Sequence, residues 1–194
     1  VITSYFFNNF IFVGVYALFF LISLFTTKKG LKRIKKLNLL QNIRDEGPAN
    51  HFKKSDTPTM GGIFMIIPFL IFLLILNAIL GYLNLFLLLF TIFGFFTIGF
   101  LDDYLSIKNK ENTGLKTKEK FILQSIISII FLSLAYEKGL INPSITVSDS
   151  WAINMNIFIL PISFLVLVGI SNSVNLTDGL DGLAAGCSGI VFYG

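Results

Sequence analysis

Between Asp56 and Asp102 the chain carries no charged residue. At 1.5 Å per helical residue, the stretch from Thr57 to Leu101 is about twice as long as the hydrocarbon core of a bilayer is thick. It reads as two transmembrane helices, with a turn around Asn77 to Asn84 where "NAILGYLN" gathers asparagine, glycine and tyrosine. Three more apolar runs follow the same logic: Tyr5 to Phe25, Phe121 to Tyr136 and Trp151 to Ile170, with a sixth beginning near Leu183 and cut at Gly194. Only 13% of residues are charged, where a soluble domain carries about 25%. The expected fold is all-α, a polytopic transmembrane bundle of about five complete spans plus the start of a sixth. Residues 1–194 form one integral membrane domain, with loops at about 27–60, 102–120 and 171–183.

The first run is too long for a signal-peptide core, lacks a basic region before it and an A-x-A site after it, and so reads as a retained span. The chain starts at Val1, so a few leading residues are expected to be missing. Orientation follows from the basic residues. Nine of the 15 lie between Lys28 and Lys54 and five between Lys108 and Lys120. Two spans separate these segments, so both face one side. The exception, Lys138, falls in the loop on the other side. By the positive-inside rule the basic segments are cytoplasmic and the N-terminus is external. "KKGLKRIKK" then fixes topology and meets anionic membrane lipid, with no call for nucleic acid. The lone Cys187 can form no internal disulfide and reads as packing.

Three segments at the expected cytoplasmic boundary depart from ordinary loop composition. "FLDDYLSIKNKENTGLKTKEK" places Asp102 and Asp103 directly after an apolar run. Adjacent carboxylates repel, and at the outgoing end of a span they also meet the negative end of the helix dipole. "NSVNLTDGLDG" sets Asp178 and Asp181 three apart, on one face if the segment is helical, which is unfavourable unless a cation intervenes. Gly179 and Gly182 let the backbone approach a bulky anion, and Asn172, Asn175 and Thr177 add groups able to bind a sugar, base or phosphate. Hard oxygen ligands of this kind suit Mg²⁺, which is held by one or two carboxylates plus substrate phosphates. In "HFKKSDTPTMGG", Pro58 and the glycines give a rigid start to the second span, while Lys54, Thr57 and Thr59 can donate to phosphate. His51 has no metal-ligand companion, and no Walker-type phosphate loop occurs. Carboxylates, lysines and glycines at membrane depth suggest phosphoryl-group transfer between a soluble nucleotide and a lipid.

"IRDEGPANHFKKSDTPTMGG", "FLDDYLSIKNKENTGL" and "NSVNLTDGLDGLAAG" together resemble the phospho-N-acetylmuramoyl-pentapeptide transferase family, over about Gln41 to Gly186. The resemblance implies transfer of phospho-N-acetylmuramoyl-pentapeptide from UDP to undecaprenyl phosphate with Mg²⁺, releasing UMP and forming lipid I for peptidoglycan. It implies a multi-pass protein of the bacterial inner (cytoplasmic) membrane with its active site toward the cytoplasm. Asp102, Asp103 and Asp178 then match catalytic and metal positions. Lys54, Thr59, Lys120, Asn172, Asn175 and Asp181 match substrate-binding ones. Ser106 stands where many relatives have lysine, although Lys108 and Lys110 are near. The family has about ten spans, with a later aspartate and a His-rich loop, so this stretch alone is expected to be inactive.

Within the superfamily, a polyprenyl-phosphate N-acetylglucosamine-1-phosphate transferase would share the aspartates but usually not "TPTMGG" with "NLTDGLDGLA". A membrane transporter would carry ionisable residues inside its spans, and these spans have none. A purely structural scaffold would tolerate loss of the aspartates. The sequence does not set the oligomeric state and leaves a homodimer open.

Overall fold

The computed structural model describes residues 2–36, 59–109, 114–148, 151–178 and 182–193. Six helices occur in these stretches: α1 (Ile2–Lys36), α2 (Ile63–Leu80), α3 (Leu83–Asn109), α4 (Thr117–Glu137), α5 (Ile159–Thr177) and α6 (Leu183–Tyr193). Between α4 and α5 lie two strands, β1 (Ser144–Ser148) and β2 (Trp151–Asn154). The chain packs as two compact units, Val1–Glu119 and Lys120–Gly194.

Three helical stretches are long and apolar enough to cross a membrane: Leu83–Asn109, Thr117–Glu137 and Asn156–Thr177. Their outward faces are greasy, with Leu165 67% and Phe93 57% exposed. Such surface is unfavourable in water and at ease in hydrocarbon, so this is a membrane protein. The apolar part of α2, Ile63–Ile79, is shorter than these.

In the first unit, the turn expected between Asn77 and Asn84 falls at Gly81, in the left-handed region at φ 64°. Its N–H closes α2 on the Asn77 carbonyl at 2.7 Å. Leu70, Leu73 and Leu89 then form a buried core between α2 and α3, flanked by Phe69, Ile92 and Phe96. On the other side of α2, Phe19 of α1 packs against the rings of Phe69 and Phe72 at 5.6 Å. The Phe64 ring fills the space a side chain at Gly30 would need. Pro68 lies inside α2 and has no N–H for the carbonyl four residues back, that of Phe64. The Thr26 hydroxyl of α1 lies 2.9 Å from that oxygen, so a neighbouring helix brings a donor within reach of the carbonyl that proline leaves unserved.

In the second unit, α4 buries Gln124, Ser128, Leu132 and Ala135, one stripe at helical spacing. Lower down, an open groove of about 290 Å³ lies between Phe131 and Leu132 of α4 and Ile162, Val166 and Leu167 of α5.

The described residues are mostly helical, as expected, with one short hairpin that the sequence reading did not include, and it moves the start of the fifth apolar helix. Trp151 to Asn154 is strand, and α5 begins at Ile159 after a 3-10 turn, Asn156–Phe158. Two asparagine side chains explain the boundaries. The Asn142 Oδ1 accepts from the Ser144 N–H at 2.9 Å and the Asn154 Oδ1 from the Asn156 N–H at 3.0 Å. These Asx turns stop the chain at both ends of the strand pair. β1 and β2 pair antiparallel, Ile145 opposite Ile153, with a register shift between Thr146 and Ser148. Three helices also continue where the hydropathy pattern puts loops: α1 through residues 27–36, α3 through 102–109 and α5 through 171–177. Hydropathy marks where hydrocarbon ends, whereas lysine, leucine and arginine continue a helix into water at little cost.

Candidate active site

Asp102 and Asp103 stand inside α3, half-buried, with the helix running on to Asn109. The helix dipole acts within the last turn, so the expected conflict between this pair and the helix end does not arise. The rings of Phe96, Phe100 and Tyr104 follow one another at 6.2 Å spacings along one face of α3, the last two stacked. Asp102 lies two residues from both Phe100 and Tyr104, roughly 200° round the helix, on the side away from the rings. There the chain returns to it. The Leu115 N–H donates to the Asp102 Oδ1 at 2.9 Å. Gly114 presses its backbone on that of Asp102 so closely that a Cβ would overlap the Asp102 carbonyl oxygen. The next residue opens α4: the Lys116 N–H donates to Glu119 Oε2 at 2.9 Å, one half of a capping box. Thr59 lies in a bend before α2, half-buried and followed by Met60 at φ 62°. Lys54 lies outside the described residues.

In the second unit, Lys120 is a half-buried residue in the first turns of α4. Asn172, Asn175 and Asp178 follow at spacing three along the end of α5. Asn175 and Asp178 are exposed, while Asn172 is half-buried. The Asn172 Nδ2 donates to Gln124 Oε1 and to the Val168 carbonyl, both at 2.8 Å. The Gln124 Nε2 reaches Ser171 Oγ at 3.3 Å. The amide nitrogen of Asn172 is therefore engaged in tying α5 to α4. Asp178 is the C-cap of α5, its N–H bonded to the Val174 carbonyl at 3.1 Å. α5 ends at Thr177, and the helix considered for Asp178 to Asp181 falls, beyond Asp178, outside the described residues. Asp181 lies outside the described residues.

Within the first unit the structure brings Asp102, the neighbour of Asp103 in α3, together with Gly114 and Leu115. Within the second it brings Asn172 to Gln124. Among the described residues no group of three or more His, Cys, Asp and Glu gathers as for a metal ion. Sequence reasoning passed over Gln124, Gly114 and Leu115. Gln124 had left a signal: an amide three residues into the run "FILQSIISII" must find a partner in a membrane. Gly114 and Leu115 had left none, because a backbone N–H reaching a carboxylate 13 residues earlier has no sequence pattern.

Each unit offers carboxylate oxygens, donors of the hard class that a divalent cation prefers. Asp178 supplies the plainest reason. It sits where the carbonyl end of α5 concentrates negative charge, and the last turn of α5 holds no basic residue. A cation there would be favourable to helix and side chain together.

Comparison with known proteins places these residues in a family. Residues 85–194 match glycosyl transferase family 4, and residues 54–66 match signature 1 of phospho-N-acetylmuramoyl-pentapeptide-transferase. The chain is 83% identical over 192 residues to the phospho-N-acetylmuramoyl-pentapeptide-transferase of Prochlorococcus marinus strain MIT 9312, covering 99% of this chain and 54% of that protein. It is 40% identical over 161 residues to the enzyme of that name from Halalkalibacterium halodurans, covering 82% of this chain and 50% of that protein. The chain thus spans about half the length of the curated relatives it matches. With Asp102, Asp103 and the end of α5 all inside a match that takes in more than half of its residues, the chain belongs to glycosyl transferase family 4, among the phospho-N-acetylmuramoyl-pentapeptide transferases.

Proposed function

We propose that the full-length protein transfers phospho-N-acetylmuramoyl-pentapeptide from UDP to undecaprenyl phosphate at the inner face of the cytoplasmic membrane, giving lipid I and UMP. The observation that carries this reading is the placement of carboxylates where the apolar stretches of two helices give out. Asp102 and Asp103 follow the apolar part of α3, and Asp178 closes α5 at its electronegative end. That is where a membrane-bound acceptor phosphate and a water-soluble nucleotide can meet.

In this reading the lipid phosphate oxygen attacks the β-phosphorus of the UDP-sugar. A new P–O–P linkage forms, the old one breaks, and UMP leaves with the bridging oxygen. One carboxylate of the Asp102–Asp103 pair directs the attacking phosphate and takes any proton it still carries. Asp102, Asp103 and Asp178 would hold Mg²⁺, which when bound supplies charge neutralisation on the diphosphate. Lys54 and Lys120 add positive charge for the departing UMP, and Thr59, Asn175 and Asp181 hydrogen-bond the donor substrate. Asn172 serves the site from behind, through Gln124. Five complete spans and the start of a sixth, with an external N-terminus, would put both basic segments and all of these groups on the cytoplasmic side.

The test is UMP release by the full-length protein with undecaprenyl phosphate and Mg²⁺, offering UDP-N-acetylmuramoyl-pentapeptide against UDP-N-acetylglucosamine. Turnover of the first alone is expected. Preference for the second would move the protein to the N-acetylglucosamine-1-phosphate transferases, and solute flux without UMP release would make it a transporter. Cysteines at positions 102 and 178 should both be labelled from the cytoplasmic side; labelling from opposite sides would end the proposal.

A further inference from the structure

We propose that Gly114 and the Leu115 amide are positioning residues for Asp102, forming a main-chain clamp that fixes the direction of its carboxylate. The inference rests on the role given to Asp102 in the transfer reaction and adds residues to which no role had been assigned.

Two independent contacts meet at one aspartate. The Leu115 N–H donates to Oδ1 at 2.9 Å, a normal length for a strong N–H to carboxylate bond. The backbone of Gly114 lies on the carbonyl of the same residue, with no room for a side chain. The second contact makes the first possible: only glycine lets the returning chain come close enough for the following N–H to reach the carboxylate. The clamp is held from its far side as well, because Lys116 is tied to Glu119 at the start of α4. A carboxylate inside a helix turns about two side-chain bonds. A main-chain donor anchored at both ends removes that freedom where a flexible side-chain donor would share it. Asp103, next along α3, points from a different angle of the helix.

The functional consequence is pre-organisation. A misplacement of reacting groups by roughly 1 Å can cost about 10²-fold in rate. Gly114→Ala, which pushes the returning chain off Asp102, is expected to lower kcat of the full-length enzyme by about that factor with KM little changed. If Gly114 acts through Asp102, adding Gly114→Ala to Asp102→Asn costs no further turnover, since the group being positioned is already gone. A second full loss on top of Asp102→Asn would overturn the proposal.

Hydrogen exchange at the Leu115 amide reads the clamp without reference to turnover. In the full-length protein in detergent, that amide should be protected. Protection should persist in Asp102→Asn, whose side-chain oxygen still accepts, and be lost in Asp102→Ala and in Gly114→Ala. Unchanged protection in Asp102→Ala would sink the clamp even if Gly114→Ala failed to fold. Full turnover by Asp102→Asn would instead sink the catalytic reading of Asp102, and with it the purpose of the clamp, while leaving the exchange pattern as described. The two failures are therefore distinguishable.

Discussion

Asp102 and Asp178 bring the same carboxylate into opposite situations. Asp102 is half-buried within α3, clear of the helix end, and accepts a main-chain N–H from Leu115. Asp178 is exposed at the C-cap of α5, on the side where unpaired carbonyls point outward, and the last turn of α5 contains no basic residue. The first negative charge is stabilised by the protein's own backbone. The second is placed where the helix disfavours it by about 0.3–1 kcal/mol. A local cost of this kind marks a position that answers to something other than folding, and a bound cation would reverse its sign.

The largest effects test this contrast directly. In the full-length enzyme, Asp102→Asn and Asp178→Asn should each lower turnover by about 10²–10³-fold, the usual cost of removing one group that stabilises charge in a transition state. UMP release measures it. Their effects on stability should differ. Asp178→Asn relieves the helix end and is expected to raise the melting temperature of metal-free protein slightly. Asp102→Ala strands the half-buried Leu115 N–H and should cost about 1–3 kcal/mol. Thermal unfolding in detergent reads both, and a shift of both variants in the same direction would break the contrast.

The helices were legible in the sequence because one physical signal, continuous apolarity, dominates in a membrane. The break at Gly81 fell inside "NAILGYLN" because glycine and asparagine are what a turn between two such helices uses. Helix ends were less legible, since the apolar signal stops at the hydrocarbon boundary and Asp102 to Asn109 remain helical past it. The hairpin was hidden for the opposite reason: Trp151, Ala152 and Ile153 are apolar enough to join the following run, and the Asx turn at Asn154 that separates them is a local hydrogen bond without a hydropathy signature. For the site, the carboxylates stood out by their incongruity. Their supports, Gln124 and the Leu115 amide, did not, because a support is recognised only by what it touches.

Gln124 sharpens the contrast from the side of the second unit. It holds Asn172 at 2.8 Å while itself only 6% exposed. Gln124→Leu leaves one Asn172 N–H without its partner in half-buried surroundings and is expected to cost about 1–3 kcal/mol. Gln124→Glu keeps the accepting oxygen. If α5 is positioned by this lock, Gln124→Leu should raise KM for the UDP-sugar through Asn175, with Gln124→Glu retaining more of the wild-type KM. Equal KM in both variants would make the lock purely structural. Asp102, held by backbone, should be indifferent to either change, as hydrogen exchange at Leu115 would report.

The smallest effect concerns Thr26 and Pro68, where the first unit offers its backbone support in the reverse sense. At Asp102 a main-chain donor serves a side chain; at Phe64 a side-chain donor serves the main chain. Thr26→Val keeps the shape and removes the hydroxyl, so it should destabilise by about 1 kcal/mol. The Thr26 hydroxyl also lies 2.9 Å from the Ile22 carbonyl and 3.0 Å from that of Ser23, and its one proton cannot serve all three oxygens at once. Pro68→Ala decides between them, because it returns an N–H to the Phe64 carbonyl from within α2. In that background Thr26→Val should cost only a few tenths of a kcal/mol, a coupling of the size double-mutant cycles resolve between touching residues. An identical cost with and without Pro68 would assign the proton to α1's own carbonyls, and the packing of Phe19, Phe69 and Phe72 would then join α1 and α2 without help from Thr26.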